Sequence, residues 1–228
     1  MRLLSQCCAG NASATLDAMV PQQEICKVYD RIAPLYDIWG RLAESRARMR
    51  AIELAGIANG STVLEAAVGT GLAFLEIVQR NRDGRNMGID LSSGMLEQSR
   101  QRLRSLPGAS YVLAIGTALD LAQGTGTIDI LINNYMFDLL ADEDLDRALR
   151  EFKRVLKPGG KLALVNMTKS ETLSGGFYEL LYRLSPRLMG GCRGVRLTEK
   201  LKQQGFSVEV REYHQQMLFP SEVILARA

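Results

Sequence analysis

The sequence predicts an α/β fold with a doubly wound, mostly parallel sheet of seven strands. From residue 62 onward, short β-branched runs alternate with longer amphipathic runs, which is the pattern of βαβ units. The first of these runs ends in a loop that holds Gly69 and Gly71, and residues 206–228 resemble two adjacent strands. A chain of 228 residues, 46% of them hydrophobic, is long enough to form one large domain around a full core.

Each element follows from a local pattern. Five runs are apolar enough to be buried on both faces of a parallel sheet, and these strands are predicted at 62–67, 85–90, 110–115, 127–132 and 161–166. Amphipathic runs between them predict helices at about 71–80, 94–105 and 143–156. The last helix ends where Pro158 and two glycines turn the chain into the next strand.

The two ends of the chain complete the predicted organisation. The C-terminal strands are expected to form an antiparallel hairpin on the sheet edge, with its turn at His214 and Gln215. Residues 1–20 are predicted to be a flexible N-terminal stretch, and residues 21–56 a lid with the initial helices. The core is predicted at 57–228, and within it residues 171–196 form a substrate cap.

Charge and composition exclude several classes of protein. A net charge of +3 is too small to indicate nucleic acid as the main partner, although it permits contact with an anionic membrane surface. No apolar run predicts a secretory signal or a membrane span, so we expect a cytoplasmic protein, with peripheral membrane contact left open. Cys7 and Cys8 are adjacent and fit neither a zinc site nor a disulfide framework, and no metal is predicted.

The loop in "VLEAAVGTGLAF", residues 63–74, is the strongest functional signal. Doubly wound sheets bind ligands where the strand order reverses, which is where the loop after the first strand lies. The dinucleotide fingerprint G-x-G-x-x-G does not fit, because Leu72 or Phe74 stands at the third glycine. A P-loop is excluded because the loop has no lysine to reach a phosphate.

Acidic residues accompany this loop at the ends of the first two strands. Glu65 precedes Ala-Val-Gly-Thr-Gly, and Asp90 lies in "GIDLSSGML". Together with "EFKRVLKPGGKLALVN", these motifs resemble the class I S-adenosylmethionine-dependent methyltransferases over residues 28–170. The resemblance implies a Rossmann-like sheet and S-adenosylmethionine as cofactor. Two positions depart from the family pattern, since Ala67 replaces a glycine and Thr117 replaces an aspartate.

The resemblance also implies which residues hold the cofactor. An Asp or Glu at position 90 would accept both ribose hydroxyls, whereas the Thr117 hydroxyl and the Ala118 N–H would bond the adenine. The implied cofactor-binding set is Tyr29, Tyr36, Glu65, Ala67, Gly69, Gly71, Asp90, Leu91, Met95, Thr117, Ala118 and Asn133.

A second resemblance points to a branch of the family. "VYDRIAPLYDIW", residues 28–39, is similar to a segment shared by the ubiquinone/menaquinone C-methyltransferases and the bacterial phosphatidylethanolamine N-methyltransferases. This implies that Tyr29 and Tyr36 fold over the cofactor, where an aromatic ring attracts a sulfonium and excludes water. The alternative is that both tyrosines face the core from an N-terminal helix.

Methyl transfer from a sulfonium depends mainly on positioning, because the leaving group is already activated. The catalytic candidates are His214, Tyr36 and Asn166, and the substrate-binding candidates are Tyr135, Phe137, Tyr178 and Tyr182. His214, the only histidine, would serve as a general base if its turn lies on the cofactor side, and an exposed turn histidine is the alternative. The apolar cap suits an acceptor tail, although a core helix with snorkelling arginines would look the same.

The leading functional hypothesis is methyl transfer to a lipid-like or quinol-like acceptor, either a phospholipid amine or a quinone ring carbon. Two alternatives stay open at this point. One is methylation of a small soluble thiol, amine or metalloid, and the other is a non-catalytic protein that binds S-adenosylmethionine and acts through partners. The sequence does not indicate an oligomeric state.

Overall fold

A computed structural model describes residues 45–169, 193–216 and 219–228, and it confirms the predicted α/β sheet. The strands are β1 to β7, at Thr62–Ala66, Arg85–Asp90, Tyr111–Ile115, Ile128–Asn134, Leu156–Met167, Ser207–Gln216 and Phe219–Arg227. They form one sheet of seven strands in the order β3-β2-β1-β4-β5-β7-β6. The predicted segment 1–20, most of the lid and most of the cap lie outside the described residues.

The strand order fixes where a ligand can bind. Strands β1 to β5 pair in parallel, whereas β7 is antiparallel to both of its neighbours. The chain moves from β1 outward to β2 and β3, then returns to the other side of β1 with β4. The carboxyl ends of β1, β2 and β4 therefore meet at the point of reversal, where doubly wound sheets bind their ligands.

Helices cover both faces of the sheet. The described helices α1 to α5 are Ser45–Ala55, Leu72–Arg80, Ser93–Leu103, Asp142–Val155 and Thr198–Gln203, and a short 3₁₀ helix spans Phe137–Leu139. Apolar side chains of α1, α2 and α3 pack on one face, and those of α4 and α5 pack on the other. None of the helices in the described ranges is long and apolar enough to cross a membrane.

The predicted hairpin turn at His214 and Gln215 is wrong. Both residues lie inside β6, where His214 pairs with Ser221 and Gln215 pairs with Pro220, and the strand continues to Gln216. The polar residues around His214 predicted a turn because a strand that is buried on both faces does not accommodate consecutive polar side chains. An edge strand can, since one of its sides faces solvent.

Other boundaries shift by smaller amounts. Strand β4 runs two residues further than predicted and takes in Asn133 and Asn134. Strand β5 begins before the Pro-Gly-Gly turn, at Leu156, and its pairing with β4 slips between Ile128 and Ile130. Helix α5 was not predicted, because six residues are too few to show a helical period.

Candidate functional site

The loop between β1 and α2 has an unusual backbone conformation, with several residues in the left-handed region. Ala67, Gly69 and Gly71 have positive φ values of 60°, 53° and 81°. The loop is fixed at its base, where the Val68 N–H donates to the Ile89 carbonyl over 2.9 Å. Ala67 adopts the left-handed conformation at a cost of about 1 kcal/mol, since its Cβ approaches the following carbonyl.

The two glycines of this loop do different things. A Cβ at Gly71 would lie 2.9 Å from the Cβ of Ser99, so Gly71 lets the loop pack directly on α3. A Cβ at Gly69 would meet no protein atom within 4 Å. Gly71 is therefore needed for folding, whereas Gly69 leaves space that a ligand can use.

Asp90 ties the end of β2 to the loop. Its carboxylate accepts hydrogen bonds from the Gly69 N–H over 2.8 Å and from the Ser92 N–H over 2.9 Å. Ser92 in turn caps α3 by accepting a bond from the Met95 N–H. An ionised carboxylate has about four acceptor sites, and paired oxygens of this kind suit a pair of ligand hydroxyls.

Glu65 is a buried acid at the floor of the cleft, with only 1% of its surface exposed. Its Oε1 accepts a bond from Asn134 Nδ2 over 3.0 Å, and its Oε2 has no hydrogen-bond partner among the described residues. Burial raises the pKa of Glu65 to about 8, against the opposing effects of Asn134 and of the Arg48 charge. Once ionised, an unsatisfied buried carboxylate oxygen beside open space fits a ligand that brings its own donor, such as an ammonium group.

Arg48 is a site residue that the sequence interpretation missed. It projects from α1, is 8% exposed and lines the same cleft as Glu65 and Asn134. It lies in "SRARMRAIELA", where several arginines look alike. The available signal was spacing, because Arg48 shares a helical face with Ala51, Ile52 and Ala55, all of which are buried.

The surface beside Asp90, at the carboxyl ends of β2 and β3, is apolar and open. Leu91 is 42% exposed and Ile115, which pairs with Asp90, is 68% exposed, values that suit a flat ring covering both side chains. Ile115 was not predicted as a site residue. Thr117 accepts a bond from the Leu119 N–H over 3.2 Å, while Met95 and Ala118 are buried.

Three predicted site residues, on β4, the 3₁₀ helix and β5, are fully buried. Asn133 is fully buried and donates to the Ala66 carbonyl over 2.8 Å, which fixes the end of β1. Asn166 donates to the Val195 carbonyl and to the carboxylate of Glu222. Phe137 packs edge to face on a ring of α4 in the core. Asn166 and Phe137 are both fully buried, and their roles in catalysis and acceptor binding stay predictions.

Tyr135 and His214 lie on the α1 face of the sheet. Tyr135 lines the cleft with a positive φ of 53°, and its hydroxyl lies 3.0 Å from Ser221 Oγ. His214 Nε2 lies 3.0 Å from the carboxylate of Glu212, which also binds Arg50 of α1 through two nitrogens. The remaining site candidates, Tyr29, Tyr36, Tyr178 and Tyr182, lie outside the described residues.

Comparison with known proteins agrees with this geometry. A family model described as a methyltransferase domain matches residues 63–160. The chain is 33% identical over 177 residues to a ubiquinone/menaquinone biosynthesis C-methyltransferase of Syntrophotalea carbinolica, covering 75% of this chain and 73% of that one. It is 34% identical over 151 residues to the 2-phytyl-1,4-naphtoquinone methyltransferase of Trichormus variabilis, covering 63% and 64%.

Solved structures share the fold at lower identity. The crystal structure of the [4+2]-cyclase SpnF superposes with a TM-score of 0.72 at 18% identity, covering 90% of this chain and 96% of that one. A likeness of this kind shows the fold only, because one fold hosts several chemistries. The family assignment depends instead on sequence identity over three quarters of the chain. The chain belongs to the ubiquinone/menaquinone C-methyltransferase family and is an S-adenosylmethionine-dependent methyltransferase.

Proposed function

We propose that this chain transfers the methyl group of S-adenosylmethionine to a ring carbon of a quinol that carries an apolar side chain. The observation that carries the proposal is its identity, over most of its length, to enzymes named for quinone methylation. The phospholipid amine that the sequence also suggested has no comparable support. The apolar tail is supported by the acceptors that these relatives are named for.

The cofactor end of the cleft supports this proposal residue by residue. S-adenosylmethionine supplies an activated methyl group on a sulfonium, together with an ammonium, a carboxylate and a ribose. Glu65 Oε2 would accept from the ammonium, and the buried guanidinium of Arg48 would face the carboxylate. Asp90 would accept the ribose hydroxyls, and Leu91 and Ile115 would pack on the adenine.

The acceptor would lie on the β4 side of the cleft, next to Tyr135. A quinol ring is electron-rich and flat, so it can stack on the Tyr135 ring while its hydroxyls bond to polar groups nearby. Loss of one hydroxyl proton makes the adjacent ring carbon nucleophilic. An alkylammonium acceptor would also have to lose a proton, and it has no apolar ring to stack.

Several finer assignments stay proposals. Tyr29 and Tyr36 would close over the cofactor, and Tyr178 and Tyr182 would contact the acceptor tail, with the tail reaching the membrane surface. His214 would act as a base, although its pairing with Glu212 at the sheet edge sets it apart from the cofactor cleft. From β1, the edge strand β6 is four strand spacings away, roughly 19 Å. A direct contact between His214 and the reacting carbon is therefore not part of the proposal.

The proposal is tested by offering the purified protein three acceptors with S-adenosylmethionine labelled in the methyl group. The acceptors are 2-phytyl-1,4-naphthoquinone kept in its quinol form, vesicles containing phosphatidylethanolamine, and a small thiol. We expect label on a ring carbon of the quinol and none on the lipid amine or the thiol. Asp90→Ala serves as the inactive control and Glu209→Gln, on an exposed ion pair of β6, as the active one. Label on the amine or the thiol instead would contradict the proposal.

A further inference from the structure

Polar side chains form a row along the carboxyl edge of the sheet, on the face covered by α1. The row starts in the cleft at Tyr135, whose hydroxyl lies 3.0 Å from Ser221 Oγ on β7. Ser221 pairs directly with His214 on β6. Directly opposed residues of antiparallel strands carry their side chains on the same face, with Cβ atoms about 5 Å apart. The row therefore crosses from β4 to the edge of the sheet.

The row ends on a fixed ion pair. His214 Nε2 is 3.0 Å from Glu212 Oε2, and Glu212 is bound by Arg50 of α1 at 2.8 and 2.9 Å. His214 retains 29% of its side-chain surface, so the end of the row reaches solvent. Its middle does not, because Ser221 is 2% exposed.

The surroundings make this row unusual. The neighbours of Ser221 on the same face are Met167, Val165 and Val223, which are buried and apolar. A hydroxyl in such a layer is costly unless it is bonded, and an alanine would fill the position without that cost. Tyr135 also adopts a left-handed backbone conformation, which a residue other than glycine holds only when its surroundings impose it.

Methyl transfer to a quinol carbon, the proposed function on which this inference rests, releases one proton. The ring carbon forms a bond to the methyl group while the bond from that methyl group to the sulfonium sulfur breaks, which leaves a neutral thioether. The hydroxyl proton that the quinol lost before the attack is the one released, and the hydrogen on the ring carbon moves as a proton to that oxygen, which restores the aromatic quinol. No electrons are gained or lost overall, so one proton is the product that must leave the cleft.

We propose that Tyr135, Ser221 and His214 form a relay that carries this proton from the acceptor to solvent. Tyr135 accepts the proton from the quinol as its own hydroxyl proton passes to Ser221, and Ser221 passes its proton to His214. Glu212 and Arg50 are positioning residues, because they fix the imidazole ring at the end of the row. Among the described residues, the charged groups that face His214 are Glu212 on its own strand and Arg50 from α1, while β7 presents the uncharged Ser221.

The test compares Ser221→Ala and His214→Gln with the intact protein, using 2-phytyl-1,4-naphthoquinol as acceptor from about pH 6 to about pH 9. Both variants should lower kcat by about 100-fold at the acid end, with a smaller loss at high pH where hydroxide removes the proton. The KM for the quinol and the affinity for S-adenosylmethionine should be unchanged. The double variant should be no slower than either single one, because both interrupt the same path.

Two controls separate a relay from a structural effect. Ser207→Ala and Glu209→Gln lie at the other end of β6 and should leave kcat and its pH profile unchanged. His214→Ala should regain turnover when imidazole is added, since a small base can occupy the half-exposed end of the row. Equal melting temperatures show that the variants fold.

Three results would contradict the relay. Full kcat in Ser221→Ala across the pH range would exclude it and leave the proposed function intact. A raised KM with unchanged kcat would mean that the row positions the acceptor and moves no proton. If the intact protein binds S-adenosylmethionine but methylates no quinol, the proposed function itself fails, and the relay fails with it.

Discussion

Replacing Glu65 by glutamine should stabilise the ligand-free protein and weaken cofactor binding at the same time. Burial raises the pKa of Glu65 from 4.5 to about 8, so the folded state holds a proton that the unfolded state releases between these values. This contribution to stability is fully present below pH 4.5 and is lost as pH rises through about 8. Glutamine keeps the shape and the bond to Asn134, and it does not titrate.

The size of the effect follows from the same values. Between pH 4.5 and pH 7 the carboxyl of Glu65 is ionised in the unfolded state and protonated in the folded state. Each pH unit in this range lowers the free energy of unfolding by about 1.4 kcal/mol, so the total loss is on the order of 3 kcal/mol. The wild-type protein should therefore lose stability relative to Glu65→Gln as pH rises from 5 to 8. Chemical denaturation at several pH values measures this difference, and Glu209→Gln, on an exposed pair, should show no such trend.

Cofactor binding should show the opposite preference. Glu65 must be ionised to pair with an ammonium group, so binding at neutral pH should release a proton from the wild-type protein and none from Glu65→Gln. Loss of this charge-assisted bond should weaken binding by about 1.5–3 kcal/mol. Calorimetry in two buffers of different ionisation enthalpy measures both quantities. A stability difference that does not vary with pH, or binding without proton release, would refute the reasoning.

Other variants separate folding from binding. Gly69→Ala should fold with a loss of about 1 kcal/mol of stability, because of its positive φ, and should bind S-adenosylmethionine poorly. Gly71→Ala should lower the melting temperature far more, because its Cβ would overlap α3. A larger loss of melting temperature in Gly69→Ala than in Gly71→Ala would contradict both assignments. Asp90→Ala should lose about 1.5–3 kcal/mol of cofactor affinity by calorimetry, and unchanged affinity would remove the ribose assignment. The hydrogen bond from Arg50 lowers the pKa of Glu212 to about 2. The Arg50–Glu212 pair therefore stabilises the folded state above pH 4.5, and this contribution is lost as pH falls toward 2. Arg50→Met should therefore move acid unfolding to higher pH in a circular dichroism titration, and an unmoved midpoint would mean that the pair contributes nothing.

The sheet and the cofactor loop were predictable because their signals are local. A strand that is buried on both faces has a continuous apolar run in the sequence. A loop with several positive φ values favours glycine at those positions, so its glycines lie close together in the sequence. Glu65, Gly69 and Asp90 were predicted in this way, and the structure brings them to the same edge of the sheet. The departure at Ala67 also has a physical account, since this residue adopts the left-handed conformation of the glycine it replaces.

Contacts between distant segments were not predictable in the same way. Arg48 reaches the cleft from α1, and Ser221 reaches Tyr135 from β7, but neither belongs to a motif. Asn166 looked catalytic because it lies near a strand end. Side chains alternate between the two faces of a sheet, however, and its own faces α5 rather than the cleft. The position of a residue along its strand indicates the edge of the sheet near which it lies. The face on which its side chain lies depends on the register of the strand.

The most direct test of the account is the identity of the methylated product. The intact protein is incubated with methyl-labelled S-adenosylmethionine and the quinol form of 2-phytyl-1,4-naphthoquinone, and fragmentation in a mass spectrometer locates the label. The account predicts one new methyl group on a ring carbon, made by the wild-type protein and by Glu209→Gln and not by Asp90→Ala. A label on a quinol oxygen, or none on the quinol while the bound cofactor stays intact, would contradict it.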